Sequence, residues 1–235
     1  MPSDATVEYG VQVKETLETR WQPPKYYYHL AGGGHIKALQ SHLSHKFFLH
    51  LDIEDFFGCI NRSRVTRNLK NLVSYQSARE IAFQSTVRHP TSSMPKYILP
   101  FGFVQSPIIA SICLAKSALG NRLNEISKDP SFSVSVYVDD IIVSSDSDRD
   151  LNEKLEILSA AAERSQFPLN ERKQEGPAPR ITAFNIHISQ KFLEITAERL
   201  NAFEQAYALT SNAHRKNGIR CYIKSVNEEQ SGAFE

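Results

Sequence analysis

The apolar and aromatic run from Lys46 to Ile53, KFFLHLDI, is short for a helix and closes on an acidic residue, the pattern of a buried strand with Asp52 at its C-terminal end. VSVYVDDIIVSS sets two acidic residues between β-branched runs and predicts a tight antiparallel hairpin with Asp139 and Asp140 at its tip. Helical spacing begins at Ser106-Pro107, a capping side chain before a first-turn proline, and continues through Ile108, Ile112, Ala115, Leu119, Leu123 and Ile126 as one helix. From Arg62 to Val87, the positions Val65, Leu69, Leu72, Ile81 and Val87 fit helices broken near Ser74, followed by a loop around His89-Pro90 and Pro95. Asp148 or Asp150 caps a helix carrying Leu151, Leu155, Leu158 and Ala162, and RITAFNIHIS and KFLEIT read as further short strands. Residues 1–45, with Pro23-Pro24, the run Tyr26 to Tyr28 and the glycines Gly32 to Gly34, read as loops and short elements. The tail from Ala197 begins helically and then turns polar.

With 235 residues and 41% hydrophobic content, the chain can bury one core, or one core and a small satellite lobe, rather than two independent domains. A formal charge of +1 excludes no polyanionic partner, because a basic groove is readily offset by acidic residues elsewhere. The N-terminus lacks a signal-peptide pattern, and no run reaches the roughly 18 apolar residues of a membrane span, so a soluble cytoplasmic protein with no membrane partner is expected. Cys59, Cys113 and Cys221 form no C-x-x-C pair and read as buried free thiols. Gly32 to Gly34 lack the Lys-Ser or Lys-Thr of a phosphate loop, and His42 with His45 lacks partners at zinc spacing. A flexible loop and surface histidines are expected there.

Nucleotidyl transfer from a triphosphate needs divalent ions about 4 Å apart, one at the attacking hydroxyl and one at the leaving pyrophosphate. An Asp at a strand end and another at an adjacent hairpin tip would supply oxygen ligands on rigid supports. A lone strand-end Asp is most often merely solvated. Here, however, DIEDFFGCI, LPFGFVQSPIIASI and VSVYVDDIIVSS follow one another in order. Together they resemble the first three palm motifs of reverse transcriptases, nearest in character to bacterial enzymes of the retron and group II intron kind. The resemblance covers roughly residues 46–190, and the Y-x-D-D of Tyr137 to Asp140 is its most specific part.

That resemblance implies Asp52 and Asp139 as metal-binding carboxylates, the Ile53 carbonyl as a further ligand, and Asp140 as the supporting carboxylate, with two Mg2+ ions as cofactor and Mn2+ as the alternative. Tyr137 would lie beside the primer terminus, and Phe57 beneath the incoming sugar, where its ring would collide with a ribose 2′-hydroxyl; a plain core phenylalanine is the competing reading. Gly102 and Ser106 would support the nascent base pair. Phe101 stands where many relatives have glutamine, which implies altered nucleotide selectivity, with Gln105 nearby. Lys173, in FPLNERKQEG, matches the lysine that neutralises or protonates the leaving pyrophosphate, against a solvated lysine. Ile181 to Ser189 resembles the hairpin that grips the primer. Lys25 and Lys37 are candidates for the triphosphate. The basic run Arg62, Arg64, Arg67 and Lys70 would line a template path, against a solvated helix face.

The implied fold is α+β: a right-hand polymerase palm with a small antiparallel sheet (46–190), helical fingers before and between the motifs (1–45 and within the palm segment), and a thumb that is short or absent in 191–235. The implied activity is RNA-templated DNA synthesis from dNTPs on a DNA or RNA primer. It would be served by a dedicated noncoding RNA or act in phage defence, with a protein partner or second copy supplying thumb contacts. Two rivals stand beside it. An RNA-dependent RNA polymerase would usually carry Asp near Phe57 and Ser-Gly in place of Ser106-Pro107. A nucleic-acid-binding subunit with little synthesis would have no need of the aspartates.

Overall fold

A computed structural model describes residues 3–90 and 96–234. The chain opens on a helix, α1 (Asp4–Arg20), where the sequence pattern predicts only loops and short elements. Its buried positions are Gly10, Val13 and Leu17 alone, a stripe too narrow to register as periodicity, and Ser3 caps it by accepting from the Thr6 N–H. The tyrosine run is made of the short elements expected, a turn, an isolated bridge from Tyr27 to Val136 and a 3-10 turn from Tyr28 to Leu30. The Tyr26 carbonyl accepts from the Val136 N–H at 2.8 Å and Tyr27 is fully buried, so the run seals a sheet edge. Next come α2 (Gly34–Gln40), entered through Gly33 at φ +100°, and β1 (Phe47–Asp52), the predicted strand.

Helices α3 (Arg62–Leu69) and α4 (Tyr75–Gln84) are capped by Asn61 and Ser74, the latter at the predicted break. Val87 does not extend them; it begins β2 (Val87–Arg88), which pairs with β3 (Tyr97–Ile98). Pro95, predicted in the intervening loop, lies outside the described residues. The single helix predicted over 106–126 is two, α5 (Ser106–Ala115) and α6 (Ala118–Ile126). The Ser117 hydroxyl donates to Leu114 O and accepts from Gly120 N–H, breaking the helix and restarting it. A Cβ at Gly120 would fall 2.1 Å from Leu114 O, so only glycine permits the two helices to meet so closely. The N-cap of α5 is Gln105 rather than Ser106, whose hydroxyl donates instead to Pro100 O at 2.7 Å.

The predicted hairpin is β4 (Phe132–Tyr137) and β5 (Asp140–Ser145). Helix α7 (Asp148–Arg164) is capped by Ser147; Asp148 and Asp150 sit in its first turn, where the helix dipole favours negative charge. A strand without a sequence signature, β6 (Glu175–Ala178), pairs with β1. Then β7 (Arg180–Ala183), β8 (Ile186–Ser189) and β9 (Phe192–Ile195) form a separate three-stranded sheet. The tail is helical well beyond its first turn, as α8 (Ala197–Leu209), α9 (Ala213–Val226) and α10 (Glu228–Ser231).

The central sheet has order β4-β5-β1-β6, antiparallel throughout. Strand alternation turns Leu49, Leu51, Ile141, Val143, Val134 and Val136 to one face, where they join the helices in the main core. Phe48 and Ile142 leave by the other face and pack on the three-stranded sheet with Ile181, Ile188 and Ile223 in a second, smaller core. Each such side chain contributes about 1.5–3 kcal/mol on burial. This is the α+β architecture that the motifs imply. His42, predicted at the surface, is fully buried on the second face. Its Nδ1 and Nε2 lie 2.7 and 2.8 Å from the Ser144 and Ser135 hydroxyls, and burial lowers its pKa to about 3. Cys113 is a buried free thiol and Cys59 a half-buried one, whereas Cys221 is exposed on α9, contrary to expectation. Among the described residues no helix is long and apolar enough to cross a membrane.

The α5–α6 break yields a stability prediction. Ser117→Ala should lower unfolding free energy by about 1 kcal/mol and Gly120→Ala by about 1–3 kcal/mol, both read as a shift of the urea midpoint with unchanged slope.

Candidate active site

Pairing of β1 with β5 runs in one register from Phe47↔Ser145 to Asp52↔Asp140, and the Ile53 N–H donates to Asp139 O at 3.1 Å. Three carboxylates therefore meet where the hairpin turns. That turn has two residues, Val138 and Asp139, between the paired Tyr137 and Asp140. Val138 sits at φ +60°, a left-handed conformation that a β-branched residue adopts only under restraint, at about 1–3 kcal/mol. Part of the restraint is His29. Its Nδ1 accepts from the Val138 N–H at 3.0 Å and its Nε2 donates to the Ser111 hydroxyl at 2.7 Å, which itself donates to Pro107 O at 2.8 Å. Burial lowers the His29 pKa to about 4, keeping the neutral tautomer that this chain of bonds needs.

Each carboxylate has its own environment. Asp52 is buried, its carbonyl accepts from Asn170 N–H, and its Oδ1 accepts from Lys173 Nζ at 2.8 Å. The Lys173 side chain is 60% exposed and that of Asp52 only 5%, so the lysine reaches inward from the rim; the bond to Asp52 raises its pKa. Asp140 Oδ1 accepts from His50 Nε2 at 2.7 Å. Asp139 is half-buried with a pKa raised by burial, and repulsion from Asp140 and Asp52 adds to the shift. Among the described residues no group of three or more His, Cys, Asp or Glu side chains is already gathered as a metal cage, and Lys173 and His50 each bond to one oxygen, of Asp52 and of Asp140. The donor set is nonetheless all carboxylate, suited to a hard divalent cation, and the repulsion felt by Asp139 is what such a cation relieves.

These carboxylates open onto a cleft of about 550 Å3 that also brings in Ile53, Phe57, Phe101, Tyr137, Lys173 and Phe184. Phe101 is 88% exposed, its ring edge-on to Phe57 at 6.0 Å between centroids. Gly102 follows in an exposed turn at φ +94°. Tyr137 packs edge-on against Phe184 at 5.3 Å, so the tip of the β7–β8 hairpin abuts the Y-x-D-D turn.

Other residues singled out from sequence lie elsewhere. Ser106 is buried and held by Pro100. Arg64 is buried, donating to the Ser165 and Gln166 carbonyls with its guanidinium 4.5 Å over Phe167. Gln105 is fully buried and donates to Ser85, facing away from the cleft. Lys25 and Lys37 are exposed and do not line the cleft, Arg67 is exposed on α3, and Arg62 stacks against Phe83 and Tyr97. Sequence reasoning missed His50, His29, Asn170 and Phe184. Only His50 carried a signal, since strand alternation puts it on the face of Asp52 two residues later.

A family model described as reverse transcriptase (RNA-dependent DNA polymerase) matches residues 7–212. No curated protein sequence matches the chain. Among solved structures, a foamy viral protease–reverse transcriptase in complex with double-stranded DNA is 17% identical, with TM-score 0.51, over 81% of this chain and 29% of that one. Telomerase from Candida albicans in complex with a telomeric RNA fragment is 9% identical, with TM-score 0.56, over 98% of this chain and 46% of that one. At these identities the likeness is one of fold, and the chain spans less than half the length of either structure.

The raised Asp139 pKa has a consequence for stability. A carboxyl that holds its proton more tightly when folded favours the native state at low pH, and that advantage is lost as pH rises through the folded-state value. In metal-free buffer, Asp139→Asn should therefore melt above wild type at pH 7, with the gap closing as pH falls towards 3.8, followed by differential scanning calorimetry.

Proposed function

The chain belongs to the reverse transcriptase family, and on that premise we propose that it copies an RNA template into DNA, joining dNTPs to the 3′-hydroxyl of a DNA or RNA primer. The observation that carries the proposal is the register that sets Asp52 beside Asp140 and ties Ile53 to Asp139, uniting three carboxylates from two motifs far apart in sequence. Asp52 and Asp139, with the Ile53 carbonyl, would hold magnesium, or manganese in its place, which supplies charge neutralisation at the attacking hydroxyl and at the leaving pyrophosphate.

The chain's own groups do the rest. Asp140, fixed by His50, supports the metal-binding pair from the adjacent strand. Lys173 Nζ, exposed at the rim and bonded to Asp52, exchanges that bond for the departing pyrophosphate, neutralising it or giving up its proton. The exposed face of Phe57 lies under the incoming sugar and excludes a 2′-hydroxyl, favouring deoxynucleotides. Phe101 offers the base pair an apolar edge where many relatives have an amide, and Gly102 lets the backbone come close. Tyr137, braced by Phe184, bears on the primer terminus, while Arg62 and Arg67 bear on the template. Ser106 and Arg64 serve these strands only indirectly, as buried supports. Likeness to bacterial retron and group II intron enzymes extends the proposal to a dedicated noncoding RNA or to a role in phage defence. It also suggests a protein partner or second copy that completes the grip on the duplex. The motifs alone support these extensions.

Purified protein with magnesium, a primed RNA template and labelled dNTPs should yield DNA, and Asp139→Ala, Asp140→Ala should abolish it. Phe57→Ala should raise ribonucleotide incorporation by at least about tenfold, the scale on which one steric contact discriminates. Products made chiefly from rNTPs by the wild type would instead indicate an RNA polymerase, and no product from either set a binding subunit.

A further inference from the structure

The charge of the chain is unevenly placed. Residues 61–98 hold seven Lys or Arg and one Glu, against 27 and 26 in the whole chain, so this segment is net +6 and the remainder net −5. It folds as α3, α4 and the β2–β3 pair, and it adjoins the cleft, which Ile98, Leu99 and Pro100 help to line. On its surface, aromatic rings and arginines alternate. Arg79 lies 6.0 Å over the Tyr75 ring, while Arg62 lies 4.7 Å from the Phe83 centroid and 3.9 Å from that of Tyr97. Tyr75, Arg79 and Phe83, four residues apart in turn, share one side of α4 over roughly 12 Å. Arg62, oriented by its bond to the Thr86 hydroxyl, carries the row across to Tyr97, next to Ile98 at the cleft edge. Glu80, the segment's acid, is turned elsewhere and lines the groove between α1 and α4 with Tyr9.

Two rings of this row, Tyr75 and Phe83, keep 62% and 60% of their surface in water, and Tyr97 keeps 37%. Their exposure does nothing for the fold, and the flanking cations, on a segment of net +6, favour a polyanionic occupant. Open ring faces beside guanidinium planes suit unpaired bases, which stack on both, while the arginines meet the phosphates between. A base-paired duplex would offer phosphates but no base faces. We propose that this row is a stacking platform for the unpaired continuation of the nucleic-acid strand held in the cleft. The choice of occupant rests on the reading of the cleft as a polymerase site.

The probe is a labelled hairpin duplex with a blunt end or with 5′ single-stranded overhangs of increasing length and mixed sequence, titrated by fluorescence anisotropy. Wild-type affinity should rise with overhang length to a plateau. Tyr75→Ala, Phe83→Ala, at two exposed positions that the fold does not need, should cost at least about tenfold on the long overhang and nothing on the blunt duplex. Arg79→Gln should lower the slope of log affinity against log salt by about one for the long overhang alone. Affinity independent of overhang length, or a double variant that keeps the full gain, would overturn the platform. An unlinked single strand added to the blunt-duplex complex should not reproduce the gain; if it binds as well as the linked overhang, the platform serves a separate strand and the proposal fails. Magnesium-dependent extension on the same complexes separates the two readings. Overhang dependence without extension faults the polymerase reading and upholds the platform, and extension without overhang dependence faults the platform alone.

Discussion

The main-chain ladder that sets Phe47 opposite Ser145 and Asp52 opposite Asp140 forces like charges together, and much of the surrounding structure answers that repulsion. A slip of one residue would turn Asp52 to the helix-packed face and Leu51 to the cleft, so the apolar face of Leu49, Leu51, Ile141 and Val143 fixes the register that collects the carboxylates. Burying Asp52 without a partner would cost several kcal/mol. Lys173 meets that demand from a loop that itself hydrogen-bonds to the end of β1, and His50 meets it for Asp140. Among the described residues Asp139 forms no such side-chain pair, and burial raises its pKa, with repulsion from Asp140 and Asp52 adding to the shift.

The turn that presents Asp139 is strained at Val138 and is held from outside the hairpin. His29, Ser111 and Pro107 form a line of hydrogen bonds from the turn to the start of α5, which follows directly on Phe101 and Gly102. The carboxylate turn and the wall that faces it across the cleft are thereby joined through groups that do not themselves line it. Tyr137 and Phe184 extend the same linkage to the β7–β8 hairpin and the second core.

Local pattern revealed the parts whose reason is local. The strand through Asp52, the Y-x-D-D hairpin and the apolar spacing of α7 follow from alternation and turn chemistry in a few adjacent residues. What stayed hidden depends on distant partners. Helix α1 buries too narrow a stripe to show periodicity, and β6 is a strand because β1 has a free edge, since its residues Glu175 to Ala178 have no strand character. The α5–α6 break turns on Ser117 and on Gly120 meeting backbone, although apolar spacing runs straight through both. His42 looks like any loop histidine until Ser135 and Ser144 are placed beside it, and Arg64 looks like a surface cation until Phe167 and the Ser165 carbonyl enclose it. Of the site itself, the carboxylates and Lys173 were legible in motifs, whereas their braces His29 and Asn170 act through single hydrogen bonds that no spacing rule reports.

Whether the three carboxylates work together as a divalent-cation site is open to direct count. Mn2+ bound per chain can be measured by electron paramagnetic resonance, in the presence of a primed RNA template and a non-hydrolysable dNTP, for wild type and for Asp52→Asn, Asp139→Asn. The expected result is about two ions per wild-type chain and a clear loss in the double variant. An undiminished count in that variant would contradict the assignment of Asp52 and Asp139 as the residues that hold the metal.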